Sequence, residues 1–325
     1  MLQRTLGRSG IQVSAIGLGC WAIGGPFTFE GRPVGWGAVN DDESIRAIDR
    51  ALDLGITFFD TADVYGAGHS ERILGQALAN RRDQVVIATK FGLAFDESSR
   101  RMTAILTDLS PANIRQACEA SLRRLNTDYI DVYQLHPSEY PPEKAGAVRD
   151  ALEELTREGK IRCYGWSYHE PAGIRTFAQG EHCAVAQHRL HVLDDNPAYL
   201  ATCAELDLAW ICNGPLAMGL LTGKFNAGAQ LPPDDIRRSS AEFAPDQLAA
   251  RNRQLEALRD VLTSNGRTLA QGALAWIVAR SDRTIPIPGF KTVQQVEENA
   301  GALRFGPLSN EQMQEIDTIL GRAAA

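Results

Sequence analysis

What this sequence lacks narrows its class first. No stretch approaches the run of about 18 apolar residues that a membrane-spanning helix needs. The opening MLQRTLGRSGIQV holds no apolar run of signal-peptide length, so a cytoplasmic protein is expected. There is no basic excess: 33 Lys and Arg stand against 40 Asp and Glu, a net charge of −7. A nucleic-acid binder wants the opposite balance or a basic face. The cysteines at 20, 118, 163, 183, 203 and 212 form no C-x-x-C pair. Most sit inside apolar segments and read as buried reduced thiols, not as a disulfide framework. No Gly/Ser run and no abrupt change of composition marks a linker, so residues 1–325 read as a single domain. Hydrophobic residues at 44% and charged residues at 22% are a globular mixture, which excludes a disordered or collagen-like chain.

What is present is an alternation. Gln3–Val13 reads as a hairpin turning at Arg8-Ser9-Gly10. Short apolar runs read as strands: Ala15–Gly19, Ile56–Asp60, Gln84–Lys90, Tyr129–Leu135, Ile161–Ser167, Ala184–Gln187, Leu208–Asn213 and Thr284–Ile287. Helical patterns lie between them. Asp41/Asp42 can cap a helix with Ile45, Ile48 and Leu52 on its apolar face, ending at Gly55. Ser70–Asn80 is helical, and Ser110-Pro111 starts a helix with Pro at its first position. Further helices run to about Glu158, over Pro171–Gln179 and over Pro197–Glu205. Gln247–Thr263, Leu269–Arg280, Val293–Leu303 and Asn310–Leu320 complete the set. Trp21–Asn40, Phe91–Ser110 and Gly223–Asp246 read as loops. Strands alternating with helices predict an α/β protein with a parallel sheet.

In a barrel of this kind the C-terminal strand ends face the active site. Those ends read Asp60, Lys90, His136, Ser167, Gln187 and Asn213, and Tyr65 follows Asp60 within FDTADVYGAGHSE. A strand meant only for packing has no reason to finish in a polar residue every time. The chemistry suggested is proton transfer. A tyrosine pKa of about 10 is too high for easy exchange at neutral pH, and a nearby ammonium such as that of Lys90 lowers it. Asp60 can hold Lys90 protonated, and His136 can donate to a substrate oxygen. The set suits stabilisation of a developing alkoxide, as in carbonyl reduction. Singly, each has a plainer account: Asp60 and Lys90 as a structural ion pair, Tyr65 as a loop aromatic, His136 as a satisfied interior histidine.

The segments GLGCWAIGG at 17–25, GITFFDTADVYGAGHSERILGQAL at 55–78, VVIATKFG at 85–92, DVYQLH at 131–136, PLAMGLLTGK at 215–224 and IPGFKTVQQVEEN at 287–299 occur in order across nearly the whole chain. Together they resemble the aldo-keto reductases. The resemblance implies a (β/α)8 TIM barrel with an N-terminal β-hairpin and extra C-terminal helices. It implies reversible hydride transfer between NADP(H) and an aldehyde or ketone. In that likeness Tyr65 is the general acid, Lys90 and Asp60 tune it, and His136 orients the carbonyl.

The resemblance also implies cofactor contacts. Gly19, Cys20, Trp21 and Asp60 lie at the first two strand ends, and Ser167 and Gln187 match residues that hold the carboxamide. Asn213, Gly214, Pro215, Leu216 and Ala217 follow strand seven, with Gly219, Leu221, Gly223 and Lys224 beyond them. Ile287, Pro288, Gly289, Phe290, Lys291 and Thr292 match the adenosine-phosphate segment, and Gln295, Glu298 and Asn299 the adenine end. A cation at Lys291 favours a 2′-phosphate, hence NADP(H), with NAD(H) as the alternative. Two positions depart from the family pattern. Tyr168 stands where Asn is usual, and Asn213-Gly214 stands where an aromatic usually stacks on the nicotinamide. A rival reading is an NADP(H)-binding regulatory subunit of the potassium-channel β-subunit type, with little turnover. The expected partner is a small carbonyl or alcohol; no nucleic acid, membrane or metal is expected, and the oligomeric state is open.

Other patterns are decoys. Gly17-Leu18-Gly19-Cys20-Trp21-Ala22 fits G-x-G-x-x-A, but Ile23-Gly24-Gly25-Pro26 follows where a helix should open. Tyr140 and Lys144 have a Tyr-x-x-x-Lys spacing that Pro141 and Pro142 push out of helix. Gly219 to Lys224 is one residue short of a phosphate loop. His182, His188 and His191 lack an accompanying carboxylate or cysteine pattern for metal. Trp21, Trp36 and Trp166 either line an apolar pocket or pack.

Overall fold

The computed structural model describes residues 2–167, 170–225 and 231–322. Eight parallel strands run in barrel order: Leu18–Gly19, Phe58–Asp60, Val86–Phe91, Ile130–Leu135, Ile161–Trp166, Cys183–Arg189, Ala209–Asn213 and Thr284–Pro286. The sheet closes where Gly17 N donates to Pro286 O and Gly19 N to Pro288 O, both at 3.0 Å. Helices follow the strands on the outside, and two, Val293–Gly301 and Asn310–Ile319, follow the eighth. No helix among the described residues is long and apolar enough to cross a membrane.

Strand side chains alternate between the two faces of the sheet. Phe58, Val86, Ala88, Val132, Cys163, Val185, Ile211 and Ile285 point into the barrel and form its inner core. Ile87, Phe91, Tyr133, Leu135 and Trp166 point outward and pack under the helices. The N-terminal hairpin pairs Gln3–Thr5 with Gln12–Ser14 and adds Leu6, Ile11 and Val13 to the inner core. It packs across the N-terminal end of the barrel, and the cavity lined by Asp60, His136 and Gln187 opens at the opposite end.

Three expectations shift. The first strand is two residues, Leu18–Gly19, flanked by glycine, which weakens a strand because it has no side chain to pack. The first helix, Asp41–Asp53, is capped by Asn40, whose side chain accepts from Glu43 N at 2.9 Å; Asp41 and Asp42 lie inside its first turn. The stretches expected as loops at 21–40 and 91–110 carry a small second sheet. There Thr28–Phe29 pairs antiparallel with Arg32–Pro33 and parallel with Arg101–Ala104, which pairs in turn with Ala94–Asp96. The polar stretch after strand seven holds short 3-10 turns at Ile236–Ser239 and Ala241–Phe243 before the helix Pro245–Thr263.

Candidate active site

The alternation that builds the inner core also builds the site. Two residues beyond Phe58, Ala88, Val132 and Val185 come Asp60, Lys90, Gln134 and Gln187, a polar layer laid on an apolar one. All four are buried. Lys90 Nζ donates to Asp60 Oδ1 at 2.5 Å and to Thr61 O at 2.8 Å. Asp60 Oδ2 accepts from Gln187 Nε2 at 2.8 Å and Gln134 Nε2 at 3.1 Å. The remaining neighbour of Lys90 Nζ is Tyr65 Oη at 3.4 Å. Burial pulls the Lys90 pKa down, but Asp60 and Tyr65 together hold it above the usual lysine range. The ammonium therefore stays charged although it is buried.

Tyr65 is fixed by a close approach of two loops. Gly66 has φ +60°, and a Cβ there would fall 1.9 Å from Gly24 O, so only glycine lets the loops meet. Trp21 stacks on the Tyr65 ring with centroids 5.7 Å apart, and His136 meets it edge-on at 5.8 Å. Burial raises the Tyr65 pKa, and the opposing pull of Lys90 is the smaller effect. This corrects the expectation of a net downward shift: the phenol is held protonated. Burial, and then the Lys90 charge, lowers the His136 pKa to about 3, so its imidazole is neutral at physiological pH.

A cavity of about 830 Å³ runs from Trp21, Tyr65 and His136 to Gln295 and Asn299. Its far end carries Lys224, Arg237 and Lys291. Burial lowers the Lys224 and Lys291 pKa values, and repulsion from Arg237 lowers both further. Crowded cations in a groove relieve that repulsion by taking an anion, which suits a phosphorylated ligand. Arg237 donates to Asp235 and to Met218 O, and its guanidinium lies 5.0 Å from the Trp36 ring centroid. Ile236 N donates to Gly35 O at 3.0 Å, and Lys291 Nζ donates to Trp36 O and Ala38 O. The segment after strand seven thus crosses the cavity and ties to the loop after strand one.

Most of the expected contact residues line this cavity: Gly19, Cys20 and Trp21; Asp60, Ser167 and Gln187; Asn213 to Leu216, Gly219 and Lys224; Ile287 to Lys291, Gln295, Glu298 and Asn299. Ala217, Leu221, Gly223 and Thr292 do not. Ala217 and Leu221 turn into the core. Gly223, at φ +75°, caps a 3-10 turn, and the Thr292 side chain caps Val293–Gly301 by accepting from Gln295 N. The Cys20 thiol is fully buried, its nearest acceptor Leu18 O, and burial raises its pKa. Tyr168 lies outside the described residues. Trp21 and Trp36 line the cavity, whereas Trp166 packs outward on Phe177.

Arg189, Met218 and Arg237 line the cavity, and Gln134 lies in the polar layer beneath it, without being picked out by the sequence pattern. Gln134 was within reach, as the lone amide in an apolar strand, paired in register with Lys90. Arg189 lies two residues beyond Gln187, since strand six continues past it, and forms a two-point ion pair with Glu242. Two of the decoys resolve in the backbone. No α-helix opens after Leu18–Gly19, and Pro142–Lys144 is a 3-10 turn. No metal-binding group of His, Cys, Asp and Glu occurs among the described residues.

Known proteins match this chain along its length. The family model "Aldo/keto reductase family" matches residues 15–320. The aldo-keto reductase YhdN of Bacillus subtilis is 33% identical over 96% of this chain and 91% of its own. The solved glycerol dehydrogenase of Gluconobacter oxydans superposes with a TM-score of 0.84 at 31% identity, covering 98% of this chain and 95% of that one. An aldo/keto reductase of Klebsiella pneumoniae, solved in complex with NADP and acetate, gives a TM-score of 0.73 at 26% identity, covering 100% and 98%. With a family match over 306 residues (320 − 15 + 1) and a barrel shared end to end, the chain belongs to the aldo/keto reductase family.

Proposed function

We propose that residues 1–325 act as one unit, an NADP(H)-dependent reductase of aldehydes or ketones. The observation that carries this is the Lys90 ammonium, buried between Asp60 and Tyr65 Oη, at one end of a cavity whose other end gathers Lys224, Arg237 and Lys291. The cofactor fits the donor set: cations for its phosphates at one end, and a polar layer beside the proton donor at the other. Ser167 and Asn213 would face its amide end, and Lys291 a 2′-phosphate. When bound, NADPH supplies the hydride.

The chain supplies the rest. Tyr65 Oη gives its proton to the carbonyl oxygen as that oxygen gains charge, and Lys90 Nζ, held charged by Asp60, stabilises the phenolate left behind. Neutral His136 donates a hydrogen bond to the same oxygen. Gln134 and Gln187 keep Asp60 oriented, so the lysine position is over-determined. In this arrangement Gln187 is committed to Asp60, so any carboxamide contact from it would be shared.

The test is loss of NADPH absorbance with a panel of aldehydes and ketones, run beside NADH and beside Tyr65→Phe. Turnover that Tyr65→Phe removes, with NADPH affinity retained, supports the proposal. Tight NADPH binding with no turnover on any carbonyl sinks it in favour of a binding subunit.

A further inference from the structure

A second cavity lies on the outside of the barrel, between the helix Pro111–Leu125 and the loop after strand three. Its volume is about 390 Å³, within the range of small-molecule sites. Asp60, Tyr65, Lys90 and His136 do not line it. Its walls are apolar at Phe91, Leu93, Phe95, Leu109 and Ile114. The helix presents Asn113, Gln116, Ala117 and Ala120, whose spacings of three and four residues put them on one face. Leu93 lines both this cavity and the catalytic one.

Asp63 lies at the floor with Phe91 and Ile114, each of the three at most 4% exposed. Asp63 N donates to Lys90 O at 3.2 Å, which fixes its backbone to strand three. Its carboxylate Oδ1 is buried and has no hydrogen-bond partner among the described residues. Such groups are rare in folded proteins, because a polar atom buried without a partner is costly. Arg124, the guanidinium that lines the same cavity, is already engaged. Its Nε donates to Glu71 Oε2 at 2.6 Å and its Nη1 to Glu97 Oε1 at 3.0 Å. Glu71 Oε1 accepts from Thr89 Oγ1 at 2.6 Å, and Glu97 pairs also with Arg72. At the mouth, exposed Asp108 accepts from Ser110 N and Asn113 Nδ2. The carboxylates of Asp63, Glu71, Glu97 and Asp108 thus outnumber the guanidiniums of Arg72 and Arg124. Burial, and then the Glu71 charge, holds the Asp63 carboxyl well above the usual carboxylate range; Arg124, the Val64 N–H and Lys90 offset only part of this.

We propose that this cavity is a second binding site, for a small organic ammonium compound whose N–H groups donate to Asp63 Oδ1 while its apolar body packs against Phe91, Phe95 and Leu109. An ammonium gives hydrogen bonds to an acceptor that has none, and positive charge where carboxylates are in excess. A carboxylate ligand would meet an Arg124 already paired twice, and a purely apolar one would leave Asp63 as it is. The site uses none of the catalytic residues, so it stands apart from the reductase reading.

The experiment is isothermal titration of the NADP+ complex at neutral pH with 2-phenylethylamine and with 2-phenylethanol, its uncharged isostere. In the wild type the amine should bind about 10-fold or more tightly than the alcohol, the gain of a charge-assisted hydrogen bond. Asp63→Asn keeps the shape and removes the charge, and should bring the two ligands within about 3-fold of each other. Ala120→Phe fills the cavity from the helix side, away from the loop that carries Tyr65. It should weaken both ligands by about 10-fold or more with NADP+ affinity unchanged, and it decides the matter if Asp63→Asn does not fold. Equal wild-type binding of amine and alcohol, or no binding of the amine in the millimolar range, would overturn the proposal. So would a preference for the amine that survives Asp63→Asn. Amine binding untouched by Ala120→Phe would overturn it too, by placing the ligand in the catalytic cavity. None of these outcomes bears on carbonyl turnover, which tests the reductase reading separately.

Discussion

Two buried carboxylates sit at opposite ends of the same barrel. Asp131, at the N-terminal end of strand four, accepts from Arg82 and Ile87 N on Oδ2, at 2.7 and 2.9 Å, and from Arg162 on Oδ1 at 2.7 Å. Asp60, at the C-terminal end of strand two, accepts from Lys90, Gln134 and Gln187. Both are fully satisfied, and both tie neighbouring strands together. They differ in what their cations do next. Arg82 goes on to Tyr129 O and Val85 O, and Arg162 reaches solvent. Lys90 is enclosed, and the neighbour left to it is a phenol in a cavity. A buried ion pair is structural or chemical according to whether its cation faces more protein or a cleft. In a barrel, that follows from which end of the strand it occupies.

The largest expected effects would break this division if they failed. Lys90→Met should lower kcat/KM for carbonyl reduction by about 10³-fold or more, and Tyr65→Phe by about 10²- to 10⁴-fold, the span of general acid catalysis. The NADPH dissociation constant should stay close to wild type in Tyr65→Phe. Asp131→Ala should do the reverse. Leaving Arg82 and Arg162 without their carboxylate should cost about 3 kcal/mol of stability by urea denaturation, with kcat of the folded fraction unchanged. If Asp131→Ala loses turnover before stability, the two ends are coupled and the division is wrong.

The division also shows what was legible. Asp60, Lys90, Gln187 and Asn213 stood out because each follows an apolar run at a strand end, and the barrel rule gives such positions a meaning. Gln134 obeys the same period of two but lies inside its strand, before Leu135, so the strand-end pattern points to His136 instead. The small sheet was missed because its strands are two to four residues long and interrupted by Gly31 and Pro33, too short for alternation to register. Ala217, Leu221, Gly223 and Thr292 came from resemblance alone, with no pattern in the residues behind them. Ala217 and Leu221 pack in the core, Gly223 caps a 3-10 turn through its backbone, and the Thr292 side chain caps a helix. Strand-borne sites are readable because side-chain direction follows from sequence position, whereas loop-borne contacts depend on tertiary hydrogen bonds that no local pattern encodes.

A middle-sized effect concerns two histidines, one in the site and one outside it. His136 and His191 both have pKa values lowered to about 3, burial being the first cause in each. For His136 the next cause is Lys90, and for His191 the arginines 189, 251 and 322. Below the ordinary histidine pKa of about 6.5 the unfolded chain binds protons that the native one refuses, so stability falls as pH drops from there toward 3. At pH 5 each such group contributes a loss of about 2 kcal/mol relative to neutral pH. His191→Gln should flatten the pH dependence of the denaturation midpoint without touching kcat. His136 should give no ionisation in the activity profile between pH 5 and 8. An acidic limb near 6.5 that His136→Gln removes would show the imidazole titrating, contrary to its burial.

The smallest effect belongs to a third carboxylate, Glu242, at the rim. It pairs with Arg189 through both oxygens, joining the turn Ala241–Phe243 to the end of strand six, and both side chains are about 30% exposed. The carboxylates of Asp60 and Asp131 are buried, and removing either leaves Lys90 or the largely buried Arg82 without its counter-charge. Glu242 differs: in Glu242→Gln, water can solvate the freed guanidinium, and the amide oxygen can still accept one hydrogen bond. Exposed pairs of this kind contribute about 0.2–1 kcal/mol. The NADPH dissociation constant of Glu242→Gln should therefore rise by less than about 5-fold, mostly through faster release, and the rise should shrink at high salt. A rise of 50-fold or more, insensitive to salt, would place this pair with the buried ones.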